Sequence, residues 1–310
     1  MIDFAESDDH RLVGELARGF AARQLRPAQR VHEAAGVSAA VYAAARDAGL
    51  CDLWTSLGPV ARCAAIEELA FGDAGATLAI LGPALAGAIA QQLGAPRADA
   101  LHVHEGPAPD VMPCLVARGE TVLQLAHAGG WRLACVRSEM IATLGLSAAG
   151  GARCVVVDTL AQGGHDCAAA IATARLAIAA ACIGVARAAL AYAAAYVQER
   201  KTFGARLADH QAVAFAIADM AIAAGAAGLL VQKAAHDGTP SASAHAFVEA
   251  AGAALFVTER AVQLLGGHGY LKDHPVEKWM RDARVLAGLA GGRDLAAEDS
   301  EHDAWEQPWT

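Results

Sequence analysis

Two short phrases hold the residues of this chain best suited to chemistry: Glu199-Arg200-Lys201-Thr202-Phe203-Gly204 and Gln263-Leu264-Leu265-Gly266-Gly267-His268-Gly269-Tyr270. Arg200 is a permanent cation with forked donors that suit an anion; taken alone, an exposed cation near a helix C-terminus is the favoured role, and within this phrase an anionic phosphate is favoured. Gly266 and Gly267 let backbone approach a ligand closely, and they can also simply end a helix. Gln211 and Gln263 offer directional hydrogen bonds or serve as surface amides. His210 and His268 stand beside these residues, but a lone histidine is more often structural than catalytic, and His268 is given no catalytic role. Seven cysteines are scattered singly, with no CxxC pair and no metal-ligand spacing, so they read as buried thiols in a reducing compartment and not as a metal site.

The phrases need long helices to place them. Apolar spacing predicts one helix from about Thr173 to Arg200, a second from an Asp209 cap to Asp237-Gly238, and a third from about Ser243 to Leu265. A fourth carries Val276 through Leu286 with Pro275 in its first turn. Antiparallel helices of this length with short links make a bundle. Nearer the N-terminus, Ser7 is expected to cap a helix with Leu12, Val13, Leu16, Ala17 and Phe20 as its apolar stripe. Ser38 is expected to cap a shorter helix ending at Gly49. Pro59 opens a third that Gly72 closes, and a fourth covers Thr77 to Leu93, with Pro83 kinking or interrupting it. Between Pro107 and Cys167 the pattern changes to short apolar runs, Val111 to Val116, Val122 to Leu125, Trp131 to Val136, Met140 to Leu146 and Cys154 to Val157, which read as strands. The expected fold is mainly α with a small β domain. A helical unit spans 1–105, a β domain 106–167, a helical bundle 168–292, and an acidic, mobile tail 293–310.

Composition narrows the ligands. With 24 basic and 33 acidic side chains in 310 residues the net charge is −9, which draws the chain to neither nucleic acid nor an anionic membrane. Aromatics make up only 5% and alanine is abundant, favouring closely packed helices. Ala212 to Val231 is apolar enough to raise the question of a membrane span. It carries Asp219 and is rich in Ala and Gly, so a buried bundle helix is expected instead. The acidic start, Met1 to Asp9, lacks the parts of a signal peptide, and cytoplasm is the default expectation.

Helices, then a small sheet, then a bundle carrying these phrases, with His210-Gln211-Ala212 and Met280-Arg281-Asp282-Ala283-Arg284 in order, resemble the acyl-CoA dehydrogenase family of flavoproteins. The match is loose over the N-terminal helices and close over the C-terminal bundle. The resemblance implies FAD and an acyl-CoA thioester. A carboxylate takes the alpha proton while the beta hydrogen leaves as hydride, and an electron-transfer flavoprotein takes the electrons onward. It implies adenosine and pyrophosphate contacts, made to the neighbouring subunit's flavin, at Arg200, Thr202, Phe203, Leu207, His210, Gln211, Gln263, Gly266 and Gly267. The family's two base positions fall on Ala290, within Leu289-Ala290-Gly291-Gly292, and on Ala174, before Arg175. Alanine carries no proton at either. The phrases that cup the flavin ring are missing from a shortened sheet domain, a pyrophosphate threonine is replaced by Gly292, and the acidic tail takes the place of the closing helix.

A chain that keeps the arm toward its neighbour's flavin, but not its own base and ring pocket, is expected beside a complete subunit. The implied assembly is a hetero-oligomeric acyl-CoA dehydrogenase, two copies of each subunit, sharing FAD and inactive as this chain alone. Bulky or sterol-derived thioesters are the guessed substrates, which places the complex in lipid metabolism, in fatty acid or steroid degradation. The competing expectations are a flavin-free acyl-CoA-binding or scaffold pseudoenzyme and a self-sufficient enzyme with a relocated base. Glu277 is the one carboxylate worth testing as that base, and Arg175 either shapes the cleft or forms a buried ion pair.

Overall fold

The computed structural model describes residues 8–105, 109–115, 121–126, 130–141, 143, 145–164 and 167–302. Helix α1 (Asp8–Phe20) runs through a π turn and a 3-10 turn into α2 (Gln29–Ala35). The expected Ser7 cap lies outside the described residues. The apolar stripe of α1 is rotated from the expected one: Ala17 and Phe20 are buried, whereas Leu12 and Leu16 are exposed. Small residues decide this, because Ala21 at the end of the same line packs so closely that a Cβ on Gly72 would lie 2.9 Å from its methyl. Ser38 caps α3 (Ala39–Asp47) by accepting from the Val41 N–H at 3.4 Å, and Gly49 follows in the left-handed region. A single turn, α4 (Leu53–Ser56), leads to α5 (Pro59–Gln92).

The two helices expected to be divided at Gly72 form this one element, broken at Asp73 (φ −162°, ψ 109°). Asp73 then caps the second half through Oδ1, which accepts from the Gly75 N–H at 3.0 Å. Pro83 does not interrupt the helix, which continues for nine residues to Gln92.

The sheet comprises β1 (Ala100–His104), β2 (Val111–Leu115), β3 (Thr121–Ala126), β4 (Trp131–Ile141) and β5 (Gly151–Gly163), in spatial order β1-β3-β4-β5-β2. Strand β1 was missed by the pattern, lies within the span read as all-helical, and pairs parallel to β3; the other pairings are antiparallel. The two runs from Trp131 and from Met140 are not separate strands. Strand β4 continues to Ile141, and Leu146 turns into a short 3-10 segment at φ 55°.

The bundle consists of α6 (Ala168–Glu199), α7 (Gln211–Asp237), α8 (Pro240–Leu265), α9 (Val276–Leu286) and α10 (Gly292–His302), with a hairpin of β6 (Lys201–Thr202) and β7 (Ala205–Arg206) between α6 and α7. The α7 cap is His210, not Asp209; Asp209 instead folds back to accept from the Arg206 N–H at 3.2 Å. Alanines fill the inner faces of α6 and α8, so the axes approach closely without large side chains. The segment expected to be a loose acidic tail is helical over α10, with Leu295 and Ala296 buried; 303–310 lie outside the described residues. The described cysteines are free, and burial pushes the Cys63 and Cys182 thiols up to about 12, which keeps them inert.

A buried ionic junction ties the three parts together. Lys278 Nζ sits 3.0 Å from Asp73 and 2.6 Å from Asp282; His32 Nδ1 is 3.1 Å from Asp73, and Asp282 accepts the Leu146 N–H at 2.6 Å. Burial pulls the Lys278 ammonium down, but the two carboxylates outweigh it and hold its pKa above the ordinary value. Burial wins at Asp282, whose carboxyl is pushed up; at Asp73 the Lys278 charge and the hydrogen bonds from His32 and Lys278 win, and its carboxyl is held down.

Candidate functional site

Most of the residues of the two chemical phrases stand on the outside of the bundle. Arg200 ends α6 in an extended conformation, exposed, and its guanidinium has no partner among the described residues; its carbonyl accepts from the Leu207 N–H at 2.8 Å. The hairpin turn places Phe203 at φ 49° and Gly204 at φ 83°, the paired positive φ that a tight hairpin requires. Phe203 is 98% exposed at the tip of this turn. Gln211 opens α7 and is exposed, and the Nε2 of half-buried His210 makes no hydrogen bond among the described residues. Thr202 and Leu207 are half-buried on the same link.

The second phrase closes α8. Gly266 adopts φ 58°, ψ −133°, a conformation that in practice only glycine holds, and the chain then coils through a 3-10 turn to Tyr270. Gln263, Gly266 and Gly267 are exposed, and a Cβ built at either glycine meets nothing within 4 Å. His268 has a structural contact: its Nδ1 lies 2.9 Å from the Tyr196 hydroxyl of α6, one turn before Arg200, and its ring stacks on His274 at 5.2 Å. Tyr192 repeats the arrangement with His274 at 2.8 Å. These pairs fix the glycine turn against the end of α6.

Helix α7 departs from its expected burial. Among the described residues α5, α6 and α7 are long and apolar enough to cross a membrane by length and composition alone. The apolar windows of α5 and α6 are 72% and 83% buried, whereas that of α7 is 17% buried. Its outer side shows Phe215, Ile222 and Leu229, spaced seven apart along one line. A buried helix was expected because composition cannot report which side of a bundle is open.

Inside the molecule the two alanines of the expected base positions come together. Ala174 on α6 and Ala290 after α9 line one cavity of about 460 Å³ between the bundle, α5 and the sheet. Leu78 and Leu85 of α5, Ile178 of α6 and Leu101 and Val103 of β1 make its walls apolar. Arg175 is 2% exposed; it forms an ion pair with Asp299 of α10, and its Nε donates to the Ala290 carbonyl at 3.4 Å. It is therefore a buried ion pair that holds the Ala290 loop. Glu277 is not in the cavity lining; it pairs with Arg30 at 2.7 Å and Arg281 at 2.8 Å. The wall that sequence reasoning missed is β1, which borders the cavity through Leu101 and Val103, while His102 and His104 alternate with them and stack on each other on the other face of the sheet. Two histidines alternating with Leu101 and Val103 are a weak strand signal.

Residues 161–299 match the family described as acyl-CoA dehydrogenase, C-terminal domain. The short-chain specific acyl-CoA dehydrogenase of Clostridium acetobutylicum is 47% identical over 126 residues, which is 39% of this chain and 33% of that protein. The caffeyl-CoA reductase-Etf complex subunit CarC of Acetobacterium woodii is 45% identical over 122 residues, 38% of this chain and 32% of that one. The chain thus spans about a third of the length of these curated relatives. Among solved structures, butyryl-CoA dehydrogenase of Megasphaera elsdenii aligns at TM-score 0.80 and 19% identity, over 99% of this chain and 100% of that chain. An electron transferring flavoprotein of Acidaminococcus fermentans aligns at 0.83 and 21%, over 99% and 100%. A steroid ACAD variant, Tcur3481-Tcur3483, aligns at 0.81 and 21%, over 96% and 98%. The fold is that of these acyl-CoA dehydrogenase structures, helical parts around a small β domain, and residues 161–299 are similar in sequence to the C-terminal domain of that family.

Proposed function

We propose that this chain is the degenerate subunit of a hetero-oligomeric acyl-CoA dehydrogenase, contributing adenosine-side FAD contacts to a complete partner subunit. The observation that carries this reading is the split between inside and outside. Both expected base positions are alanines in one apolar cavity, while Arg200, Phe203, Gln211, Gln263 and the glycine pair stand exposed.

The residues fit one half of FAD. Arg200, without a side-chain partner among the described residues, suits a pyrophosphate; the uncovered backbone at Gly266 and Gly267 admits phosphate or ribose; Gln211, Gln263 and the uncommitted His210 Nε2 supply directed hydrogen bonds. The ring half lacks an equivalent set, since the cavity lining offers few polar side chains. When bound, FAD supplies the acceptor for the hydride that leaves the beta carbon. This chain's part is to bind and orient the cofactor's adenosine end, with Phe203 projected from its turn toward the neighbour, while the partner's carboxylate takes the alpha proton.

Partner and substrate follow the same reading. The outer stripe of α7 continues from the hairpin link and supports a helix-on-helix contact with the partner, two copies of each subunit in all. An acyl-CoA thioester is the substrate, and a bulky or steroid-derived one is consistent with the likeness to the steroid ACAD variant. An electron-transfer flavoprotein as acceptor draws on the relative from a reductase-Etf complex. The reducing compartment suggested by the free thiols is the cytoplasm.

The test is flavin absorbance and mass of the chain purified alone and co-expressed with a neighbouring dehydrogenase-like reading frame. The expected result is a colourless chain alone and a yellow complex with about one FAD per pair of subunits. Full flavin in the chain alone, or none in any complex, overturns the reading.

A further inference from the structure

We infer that Tyr192 and Tyr196 of α6, acting through His274 and His268, are positioning residues that set the spacing between Arg200 and the Gly266–Gly267 turn, and with it the grip on the adenosine half of the flavin. This deepens the shared-cofactor reading and rests on it.

The outer edge is assembled from two helices. Arg200 ends α6, whereas Gln263 closes α8 and the two glycines begin the turn after it. A ligand that touches both ends is held only while they keep one spacing, within about 0.5 Å for a well-formed site. Packing alone sets that spacing poorly. Most of the buried side chains of α6 and α8 are alanines, whose shallow ridges allow close approach but resist sliding along the axis only weakly. Neither glycine has a side chain with which to anchor the turn.

Two polar rungs supply the register. The Tyr196 hydroxyl lies 2.9 Å from His268 Nδ1, and the Tyr192 hydroxyl 2.8 Å from His274 Nδ1. The tyrosines are four residues apart, about 6 Å along a helix. The two imidazoles stack at 5.2 Å with their planes 8° apart, so the step of the helix matches the step of the stack. The inner rung is fixed from two further sides. Arg30 of α2 donates to the His274 carbonyl at 2.8 Å, and the Tyr192 ring meets Trp279 of α9 edge-on at 5.9 Å. Sliding the turn by one helical step would bring His268 to Tyr192, but His274 already occupies that hydroxyl. One rung therefore holds the glycine turn in place, and the other blocks its nearest alternative. All four side chains are half-buried, which limits the water that competes for these bonds.

Hydrogen exchange of the isolated chain, and FAD titration of the co-expressed complex after its flavin is stripped, test this together. Tyr196→Phe keeps the ring and removes the hydroxyl. It is expected to speed exchange of the amides from Gly267 to Tyr270 by about fivefold and to weaken FAD binding by about fivefold, the worth of one neutral hydrogen bond. His268→Asn keeps a polar atom near the position of Nδ1 and should retain most of the affinity that His268→Leu loses. Thr258→Val removes a hydrogen bond to the Ala254 carbonyl inside α8, away from the rungs, and should leave FAD binding unchanged. Unchanged exchange in Tyr196→Phe overturns the inference. So does FAD binding as tight as in the unaltered complex, or a loss in Thr258→Val as large as in Tyr196→Phe. In each of these cases the unaltered complex still takes up flavin and the shared-cofactor reading stands. An unaltered complex that takes up no flavin overturns that reading and this inference with it, so the two failures are told apart.

Discussion

The inner cavity and the outer edge of the bundle share α6 and differ in almost everything else. Inside, Ala174 and Ala290 stand where a base is expected, walled by Leu78, Ile178 and Val103. Outside, at the end of the same helix and in the hairpin that follows it, Arg200 and Phe203 stand exposed. A merely decaying sequence would be expected to lose charged and strained surface features as readily as buried ones. Phe203 at positive φ is the kind of strain that persists where something else uses it. On the proposed reading, the outer edge serves a neighbour's cofactor and the inner cavity has lost its proton transfer.

The comparison assumes that the inner region is rigidly built, and the buried junction tests that assumption most severely. Lys278→Met leaves Asp73 and Asp282 buried side by side with no cation between them. Removing one partner of such a group costs about 3–5 kcal/mol. Urea denaturation should read that loss; a variant of unchanged stability would show that the junction contributes nothing and that the cavity walls are held by other means.

Arg200→Ala is the sharpest probe of the outer edge. Loss of a charge-assisted contact to phosphate should weaken FAD retention in the complex by about 10- to 100-fold, with no change in the folding of this chain. Equal flavin content in the variant complex would return Arg200 to an ordinary helix-end cation. A smaller effect is expected from Ile222→Glu, in the middle of the exposed α7 stripe. A carboxylate desolvated there should weaken association with the partner by about tenfold, read by size exclusion or ultracentrifugation, and leave the isolated chain unaffected.

How much of this was legible in the sequence follows the reach of each signal. Helix ends marked by local chemistry were readable: Ser38 and Gly49 bracket α3, and Gly238 closes α7 in the left-handed region. The helix α10 was not, because its stretch is acidic and its principal anchor, the ion pair of Asp299 with Arg175, joins residues 124 positions apart. The side on which α7 is open was equally hidden, since alanine and glycine suit a buried seam and an exposed one alike. Strand β1 carries histidines at alternate positions, which hid both the strand and the cavity wall that Leu101 and Val103 form on its other face. The alanines at 174 and 290 were legible as missing bases, but their meeting in one cavity required the fold.

The smallest expected effect tests whether the sheet holds His102, on the face of β1 away from the cavity, out of water. Its folded-state imidazole is held near 4, mainly by burial, against an ordinary value of 6.5. Between those values the unfolded chain binds a proton that the folded chain does not, so stability falls as pH drops through that window and is unaffected above it. His102→Phe removes this proton uptake. The loss of stability of the unaltered chain between pH 7.5 and pH 5 should therefore exceed that of the variant by about 1 kcal/mol, after allowance for partial solvent screening. Other histidines contribute equally to both proteins and cancel in the difference. Identical acid slopes would mean that His102 titrates as a solvated surface group and that its place on β1 does not hold it neutral.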